Sequence, residues 1–230
     1  MTSVQSAYAS NFNQRALSLL ERIDYRRAET PEEKDAIYRL RYDAYLREGM
    51  VPANPTRRVT DKYDATAWNF GLFIDGQLAS SLRINVGTRE KPEVPGMQVF
   101  SEYLAPLFES GKVIVDPTRF VADYAATREY PALAYLTARL GWLAGDYFNA
   151  DLIVSACRVE HQAFYRRTFG HKVICEGRDY PTLIKPISLM LLDYSATRDN
   201  VHARYPFYRS TVFERRMLFE RFRESSRAAA

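Results

Sequence analysis

The spacing of apolar positions in the first fifth of the chain predicts two helices separated by a strand. Residues 10–22 and 31–47 have helical spacing, and residues 23–29 (IDYRRAE) have that of a strand. The second helix is introduced by Thr30-Pro31-Glu32-Glu33, in which a capping residue precedes proline, and glutamate follows three positions after the cap. We expect this helix to end near Gly49.

The middle of the chain is dominated by strand patterns. Apolar runs at 68–74 and 77–86 are joined by Asp75-Gly76, a dipeptide typical of hairpin turns. The 87–110 stretch is irregular, with a short helix expected near Phe100–Phe108. A further strand is predicted at 112–121.

A helical pattern that opens at Pro131 keeps Leu133, Leu136, Leu140, Leu143 and Tyr147 on one face. An apolar strand follows at 151–158, and then a short helix that stops at Gly170. Two further strands are predicted at 171–176 and 182–194.

This order predicts an α/β (α+β) fold, with a mixed, mainly antiparallel central sheet and helices on both faces. We expect one domain over residues 1–230. It would carry a helical extension at about 1–22 and an arginine-rich helical extension at about 205–230, where six arginines lie from Arg209 to Arg227.

Composition narrows the classes of function. The chain has 230 residues, is 47% hydrophobic and carries a net charge of +4, which suits an anionic substrate or acidic partner without requiring nucleic acid. No apolar run approaches the ~20 residues of a membrane span. Without a signal-peptide pattern, Cys157 and Cys175 are expected to be buried, reduced thiols in a cytoplasmic protein. The three histidines have no metal-ligand spacing, so we expect no metal.

The segment DLIVSACRVEHQAFYRRTFGHKVI, at 151–174, resembles the C-terminal half-motif of the Gcn5-related N-acetyltransferase (GNAT) superfamily. In that motif a strand leads to a short helix with a tyrosine, an aromatic residue and a glycine. Tyr165, Phe169 and Gly170 occupy those positions here.

Four further motifs resemble a narrower group, the acyl-homoserine-lactone synthases and the related N-acyl amino acid synthases. They are the helix LRYDAYLREGM at 40–50, the loop DKYD at 61–64, the strand residue Arg83, and VDPTRF at 115–120. In the last motif Asp116 and Thr118 stand where the family has glutamate and serine. The resemblance covers about residues 37–185, and the residues of these motifs are nearer to those of the N-acyl amino acid synthases.

The resemblance implies an N-acyltransferase that moves a long fatty acyl group from acyl carrier protein to the α-amine of an amino acid. No permanently bound cofactor is implied: the donor is an acyl-phosphopantetheine on the carrier, with acyl-CoA as an alternative. The junction at 122–134 contains no glycine, whereas glycine-rich turns let backbone N–H groups reach a pyrophosphate. A carrier-bound arm has no pyrophosphate, so this absence favours the carrier.

Three alternatives stay open on the sequence. One is an acyl-homoserine-lactone synthase that uses S-adenosylmethionine. Another is an ordinary acetyl-CoA-dependent N-acetyltransferase, against which the missing glycine turn argues. The last is a non-catalytic protein that binds an acyl chain or a partner.

The resemblance assigns a charged cluster at the amine-substrate pocket to Arg41, Asp61, Asp64, Arg83 and Arg119. The residues themselves give partial support. Arg41 shares a helical face with apolar residues and therefore needs a partner, which the Asp61/Asp64 loop can supply. Small side chains around Arg83 leave room for a ligand carboxylate, although a solvent-facing arginine is the simpler alternative.

Asp116 is the best candidate for the base that accepts the amine proton, with a structural Asp116–Arg119 pair as the alternative. Pro117 predicts a bulge or a splayed strand, which would free backbone N–H groups near Thr118 and Arg119. Tyr165 is the candidate donor of a proton to the leaving thiolate, or simply packs its helix. Tyr45, Thr118 and Phe120 complete the predicted substrate-binding residues.

Two surface regions are candidates for contact with an acidic carrier protein. The first comprises Arg57, Arg58, Arg166 and Arg167. The second is the arginine-rich C-terminal segment, for which a membrane surface or plain solubility are alternatives.

Overall fold

A computed structural model describes residues 3–221 and, within the first helix, the side chains from Ser10 onward. A single seven-stranded sheet runs through the molecule in the order β1-β2-β3-β4-β5-β7-β6. Every neighbouring pair is antiparallel except β4 and β5. The strands are β1 (Ile23–Arg27), β2 (Trp68–Ile74), β3 (Gln77–Gly87), β4 (Ile114–Ala122), β5 (Leu152–Cys157), β6 (Lys172–Arg178) and β7 (Ile187–Asp193).

Helices cover both faces of the sheet. They are α1 (Ser3–Leu20), α2 (Pro31–Arg47), α3 (Met97–Glu109), α4 (Tyr124–Glu129), α5 (Leu133–Tyr147), α6 (Val159–Phe169), α7 (Tyr194–Arg204) and α8 (Val212–Phe219), with 3₁₀ turns at Lys62–Ala65 and Pro206–Tyr208. Thr118 of β4 faces the side that carries α2, and the adjacent Pro117 contacts α5 on the other side. The predicted mixed sheet with helices on both faces is therefore confirmed.

Strand β4 parts from β5 after a short region of pairing. The two strands form ladder pairs at Ile114–Leu152 and Val115–Ile153, and no further pair joins them within the described residues. Just beyond, the register of β4 against β3 shifts, and Arg119 adopts a left-handed φ of 55°. The bulge predicted from Pro117 is confirmed, two residues further along. Bulges bend a strand and increase its twist, so this one directs β4 away from β5.

Helix α5 fixes β4 where the two strands separate. A Cβ atom on Gly141 of α5 would lie 2.9 Å from Cγ of Pro117, so the helix backbone rests on the proline ring. Ile84 of β3 lies on the same face, 4.0 Å from that Cβ position. The strand is thus supported immediately before its bulge.

The terminal helices α1 and α8 each pack on the main core. The Phe12 ring of α1 lies 4.8 Å from Tyr135 of α5 and 6.2 Å from Phe207. In α8, Phe219 is buried with its ring 5.4 Å from that of Phe70 in β2. Val212, Phe213 and Met217 of the same helix are exposed.

Local signals placed several elements correctly. Glu33 Oε2 accepts a hydrogen bond from Thr30 N (3.0 Å), and Thr30 Oγ1 accepts one from Glu33 N (3.2 Å), which completes the predicted capping box of α2. Asp75 and Gly76 both have positive φ, 49° and 82°, as the predicted hairpin turn requires.

Other boundaries were wrong. The strand predicted at 182–194 begins only at Ile187, because Pro186 cannot donate to a ladder and Ile184 N instead bonds to Met50 O. The 122–134 junction, for which no helix was predicted before Pro131, contains α4, which Asp123 caps through Ala126 N (2.9 Å).

The remaining differences lie near the ends of the chain. Helix α7 was missed; Asp193 caps it by accepting from Ala196 N. The first helix starts at Ser3 rather than residue 10. Helix α8 ends at Phe219, and the rest of the predicted C-terminal helix from residue 222 lies outside the described residues.

Within residues 3–221, no helix has both the length and the apolar character that a bilayer crossing demands.

We expect Gly141→Ala to destabilise the protein by about 1 to 3 kcal/mol, because the new methyl group would overlap the rigid Pro117 ring. In an open helix position the same change would stabilise by about 1 kcal/mol. Urea denaturation of the two proteins measures the difference in free energy of unfolding. A variant more stable than the wild type would contradict the tight seating of α5 on β4.

Candidate active site

A cavity of about 480 Å³ occupies the gap between β4 and β5. The segment Pro117–Ala122 of β4 forms one side, and Ala156, Cys157 and Arg158 at the end of β5 form the other. Since Thr118 and Pro117 face opposite sides of the sheet and both line the cavity, the cavity passes through the sheet. The edge of β4 along it has no partner strand in the described residues.

The two sides of the cavity differ in character. On the α2 side, the walls combine aromatic or apolar side chains with charged ones: Tyr45, Met50, Tyr180, Leu183, Ile187, Arg47, Glu48, Arg83 and Arg119. On the α5 side, the walls include Phe120, Ala134, Phe164 and Tyr165. A smaller cavity of about 30 Å³ adjoins Phe120 and Tyr165 and extends to Trp142 and Phe169.

Asp61 joins two of the arginines predicted for the substrate pocket. Its Oδ1 accepts from Arg83 Nη1 at 2.5 Å, and its Oδ2 accepts from Arg119 Nη2 at 2.6 Å. Burial opposes ionisation of Asp61, but the hydrogen bonds and charges of the two arginines outweigh it and lower its pKa to about 2. Asp61 therefore stays a carboxylate over the whole neutral range.

Asp64 makes the second link of this cluster. Its Oδ1 accepts from Arg41 Nη1 at 2.7 Å and lies 3.2 Å from Arg83 Nη1. The Asp-x-x-Asp spacing has a local cause as well: Asp61 Oδ1 accepts from Tyr63 N, and Asp64 Oδ2 accepts from Asp61 N, each at 2.9 Å. The two aspartates are thus a capping box that shapes the 3₁₀ turn and points both carboxylates at the arginines.

Arg41 is fully buried at the closed end of the cluster, away from the cavity. Its Nη2 donates to Asn69 Oδ1 at 2.7 Å, and Asn69 Nδ2 donates to Asp64 O at 3.0 Å. Asn69 was missed in the sequence analysis. The signal available was a single polar residue within the otherwise apolar strand β2.

The structure brings together all five residues of the predicted charged cluster. Arg83 Nε also donates to Thr118 Oγ1 at 2.9 Å, so Thr118 belongs to the same network. Arg119 lies with its guanidinium carbon 5.7 Å from the Tyr45 ring centre. The alternative Asp116–Arg119 pair is not formed, because Arg119 turns to Asp61 instead.

Asp116 lies apart from the cavity. It is fully buried, its Oδ2 accepts from Gly96 N at 2.8 Å, and its Oδ1 has no hydrogen-bond partner within residues 3–221. Asn85, its cross-strand neighbour in β3, also has an Oδ1 without a hydrogen-bond partner within residues 3–221. Burial raises the pKa of Asp116 to about 6. Its role as base stays a prediction, and any proton would have to reach it from the cavity through a relay.

Tyr165 and Cys157 both line the cavity. Burial raises the pKa of the Tyr165 phenol, so the group keeps its proton at neutral pH, and its role as proton donor stays a prediction. Burial also raises the pKa of Cys157 to about 12, which makes it a poor nucleophile. Both cysteines are free thiols; Cys157 is buried as predicted, whereas Cys175 is half-buried, because the edge strand β6 exposes part of it.

Residues 36–193, more than two thirds of the chain, match the family model of the N-acyl amino acid synthase FeeM. No curated protein sequence matches the chain significantly.

Three solved structures show the likeness of fold. FeeM, an N-acyl amino acid synthase from uncultured soil microbes, superposes with a TM-score of 0.65 at 21% identity, over 80% of this chain and 97% of that one. The CoA-dependent acyl-homoserine lactone synthase BjaI, solved with SAM and isopentyl-CoA, gives 0.55 at 15% identity, over 80% and 89%. TofI, in a ternary complex with an inhibitor and MTA, gives 0.53 at 15%, over 80% and 96%.

A mainly antiparallel sheet, split at its parallel pair around a cavity, gives the chain a GNAT-like fold, and the family match makes it an N-acyltransferase. More narrowly, the chain belongs to the FeeM family of N-acyl amino acid synthases.

We expect Asp116→Asn to stabilise the protein above pH 6 and to lower its activity. A carboxyl whose pKa rises from 3.8 to about 6 on folding contributes stability at low pH that is lost as the pH rises from ~4 to ~6. The loss is about 2 to 3 kcal/mol. Asparagine carries no charge, still accepts from Gly96 N, and offers a donor to Asn85.

Chemical denaturation of both proteins at pH 4.5 and 7.5, with kcat measured alongside, checks this expectation. If Asp116 accepts the amine proton, kcat falls roughly 10²- to 10⁴-fold. Equal stability of the two proteins at pH 7.5 would contradict the raised pKa. An unchanged kcat would remove Asp116 from the chemistry.

Proposed function

We propose that this protein transfers a long fatty acyl group from acyl carrier protein to the α-amine of an amino acid. The observation that carries the proposal is the cavity through the split sheet, which has arginines on one side and an apolar extension on the other. An amphiphilic product, with a carboxylate at one end and an alkyl chain at the other, matches that division.

The acceptor is assigned to the α2 side of the cavity. Arg83 and Arg119 reach it from a buried cluster in which three guanidinium groups face two carboxylates. An arginine can bind a carboxylate through two hydrogen bonds. This supports an acceptor that carries a carboxylate beside its amine, which is what an α-amino acid offers.

The acyl chain is assigned to the α5 side. Phe120, Phe164 and Tyr165 form apolar walls there, and the smaller cavity continues towards Trp142. The phosphopantetheine arm would run along the unpaired edge of β4, whose backbone groups are available to it. The 122–134 junction has no glycine, which supports a donor arm without a pyrophosphate.

The reaction forms one C–N bond and breaks one C–S bond. The neutral amine attacks the thioester carbonyl, and stabilisation of the oxyanion is assigned to backbone N–H groups near the Arg119 bulge. The carbonyl then re-forms as the thiolate leaves and takes a proton from Tyr165, which is reprotonated from solvent. The proton lost by the amine is assigned to Asp116, whose pKa of about 6 suits a base at neutral pH.

Carrier docking is assigned to the exposed Arg166 and Arg167 at the end of α6. Arg57 and Arg58 are weaker candidates, because they pair with Asp43 and Asp35. We place the reaction in the cytoplasm, where free thiols stay reduced. A membrane-surface role for the C-terminal segment stays a prediction.

We expect purified protein, incubated with a long-chain acyl carrier protein, pooled amino acids and S-adenosylmethionine, to yield an N-acyl amino acid by mass spectrometry. Parallel reactions with long-chain acyl-CoA and acetyl-CoA compare the donors. An acyl-homoserine lactone would select the lactone-synthase alternative, and efficient use of acetyl-CoA the acetyltransferase one. The absence of any acylated amine would overturn the proposal in favour of a binding protein.

We also expect Ala156→Phe to lower kcat/KM for the long-chain donor at least tenfold, because its ring would fill the gap between β4 and β5. Ala36→Phe, on the exposed face of α2, adds the same volume at a distance and serves as the control. Steady-state kinetics with thermal melts of both variants separate a blocked cavity from an unfolded protein. Normal turnover by a folded Ala156→Phe protein would place the acyl chain elsewhere.

A further inference from the structure

Asn69 is the neutral member of the buried charged cluster. It lies in β2 directly opposite Arg83 of β3, and it is 2% exposed. Its amide accepts from Arg41 Nη2 and donates to the carbonyl of Asp64, at 2.7 and 3.0 Å. An amide can make both bonds, whereas an ionised aspartate could make only the first.

The ion pairs of the cluster leave one positive charge in excess. Asp61 uses both oxygens on Arg83 and Arg119, and Asp64 Oδ1 serves Arg41 and Arg83. The other oxygen of Asp64 accepts from a backbone N–H, so no carboxylate oxygen of the pair is left over. Asp116 is hydrogen-bonded to Gly96 instead.

Such an excess is costly in a buried site. Burial lowers the pKa of Arg41, against the opposing effect of Asp64, and Arg41 Nε has no partner within residues 3–221. An aspartate at position 69 would offset the charge. The chain instead has an amide at position 69, and the excess positive charge lies at the cavity wall, where Arg83 and Arg119 are located.

We propose that Asn69 is a positioning residue that holds Arg41 and the Asp61–Asp64 turn without adding a negative charge, and thereby leaves the cluster one positive charge with which to bind the acceptor's carboxylate. The inference rests on the proposed function, since it concerns recognition of an amino-acid acceptor. It makes the choice of amide over carboxylate at position 69 a determinant of acceptor specificity.

The decisive variant is Asn69→Asp, which keeps the size of the side chain and adds one charge. With the amino acid found in the product assay, KM should rise about tenfold or more while kcat changes little, because like charges repel strongly across a partly buried site. With the decarboxylated amine of the same amino acid, KM should stay as in the wild type. Asn149→Asp, at an exposed position, adds the same charge elsewhere and should change neither value.

A purely structural role for Asn69 predicts a different result, namely equal losses with both acceptors, and that result would overturn the proposal. Unchanged KM values for both acceptors would do the same. If Asn69→Asp fails to fold, the wild type alone still tests the proposal. Equal KM values for the amino acid and for its decarboxylated amine would show that the excess positive charge does not bind the acceptor's carboxylate.

Binding provides a readout that does not depend on turnover. Calorimetric titration of the wild type with the amino acid and with its carboxamide should show tighter binding of the carboxylate form, and Asn69→Asp should abolish the difference. If no acceptor is acylated but the carboxylate form still binds more tightly than the carboxamide, the proposed reaction is refuted and the carboxylate-binding site is supported. Equal affinities of the wild type for the two ligands would refute the site itself.

Discussion

The early separation of β4 from β5 creates the cavity and determines where the surrounding residues lie. Parallel strands that stayed paired along their full length would leave no space in the sheet for a substrate. Here pairing stops after Val115, because Pro117 cannot donate to a ladder and Arg119 adopts a left-handed conformation. The resulting gap joins the two faces of the sheet, and its edge offers backbone groups that no strand within residues 3–221 pairs with. Helix α5, seated on Pro117, keeps β4 in position where it diverges.

The strain at Arg119 is offset by the charges around it. A left-handed backbone costs an L-residue roughly 1 to 2 kcal/mol, and here the conformation accompanies an ion pair between the Arg119 side chain and Asp61. The same carboxylate holds Arg83, whose Nε donates to Thr118 on the bulged strand. The bulge and the charged cluster therefore support one another. A substitution of Asp61 would therefore alter the positions of Arg83 and Arg119 at the cavity wall, although Asp61 itself lies in a loop before β2.

Short-range signals in the sequence were sufficient for much of this fold. The capping box at Thr30, the Asp75-Gly76 turn and Pro117 each specify a local backbone geometry, and the structure has all three. Asp61 and Asp64 belong with them, since their spacing is that of a capping box. Where prediction failed, the deciding contacts were distant in sequence: Ile184 N bonds to Met50 O, so the strand after it starts late. The α7 helix was missed because its cap, Asp193, ends an apolar strand that looked continuous with it.

Motifs along the chain were enough to name the charged residues of the site and several of the turns that carry them. Arg41, Asp61, Asp64, Arg83 and Arg119 were assigned through the resemblance of their motifs to those of the related synthases, and of these motifs the Asp61–Asp64 turn has a capping box of its own. Which of these side chains form ion pairs depends on contacts between elements that are distant in sequence. Arg119 turned to Asp61 rather than to Asp116 three residues away, and Asn69 joined Arg41 because sheet register and helix packing bring β2 and α2 together. Asp116 was left buried beside Gly96, outside the cavity, since neighbours in a strand face opposite sides and only folding decides what covers each side.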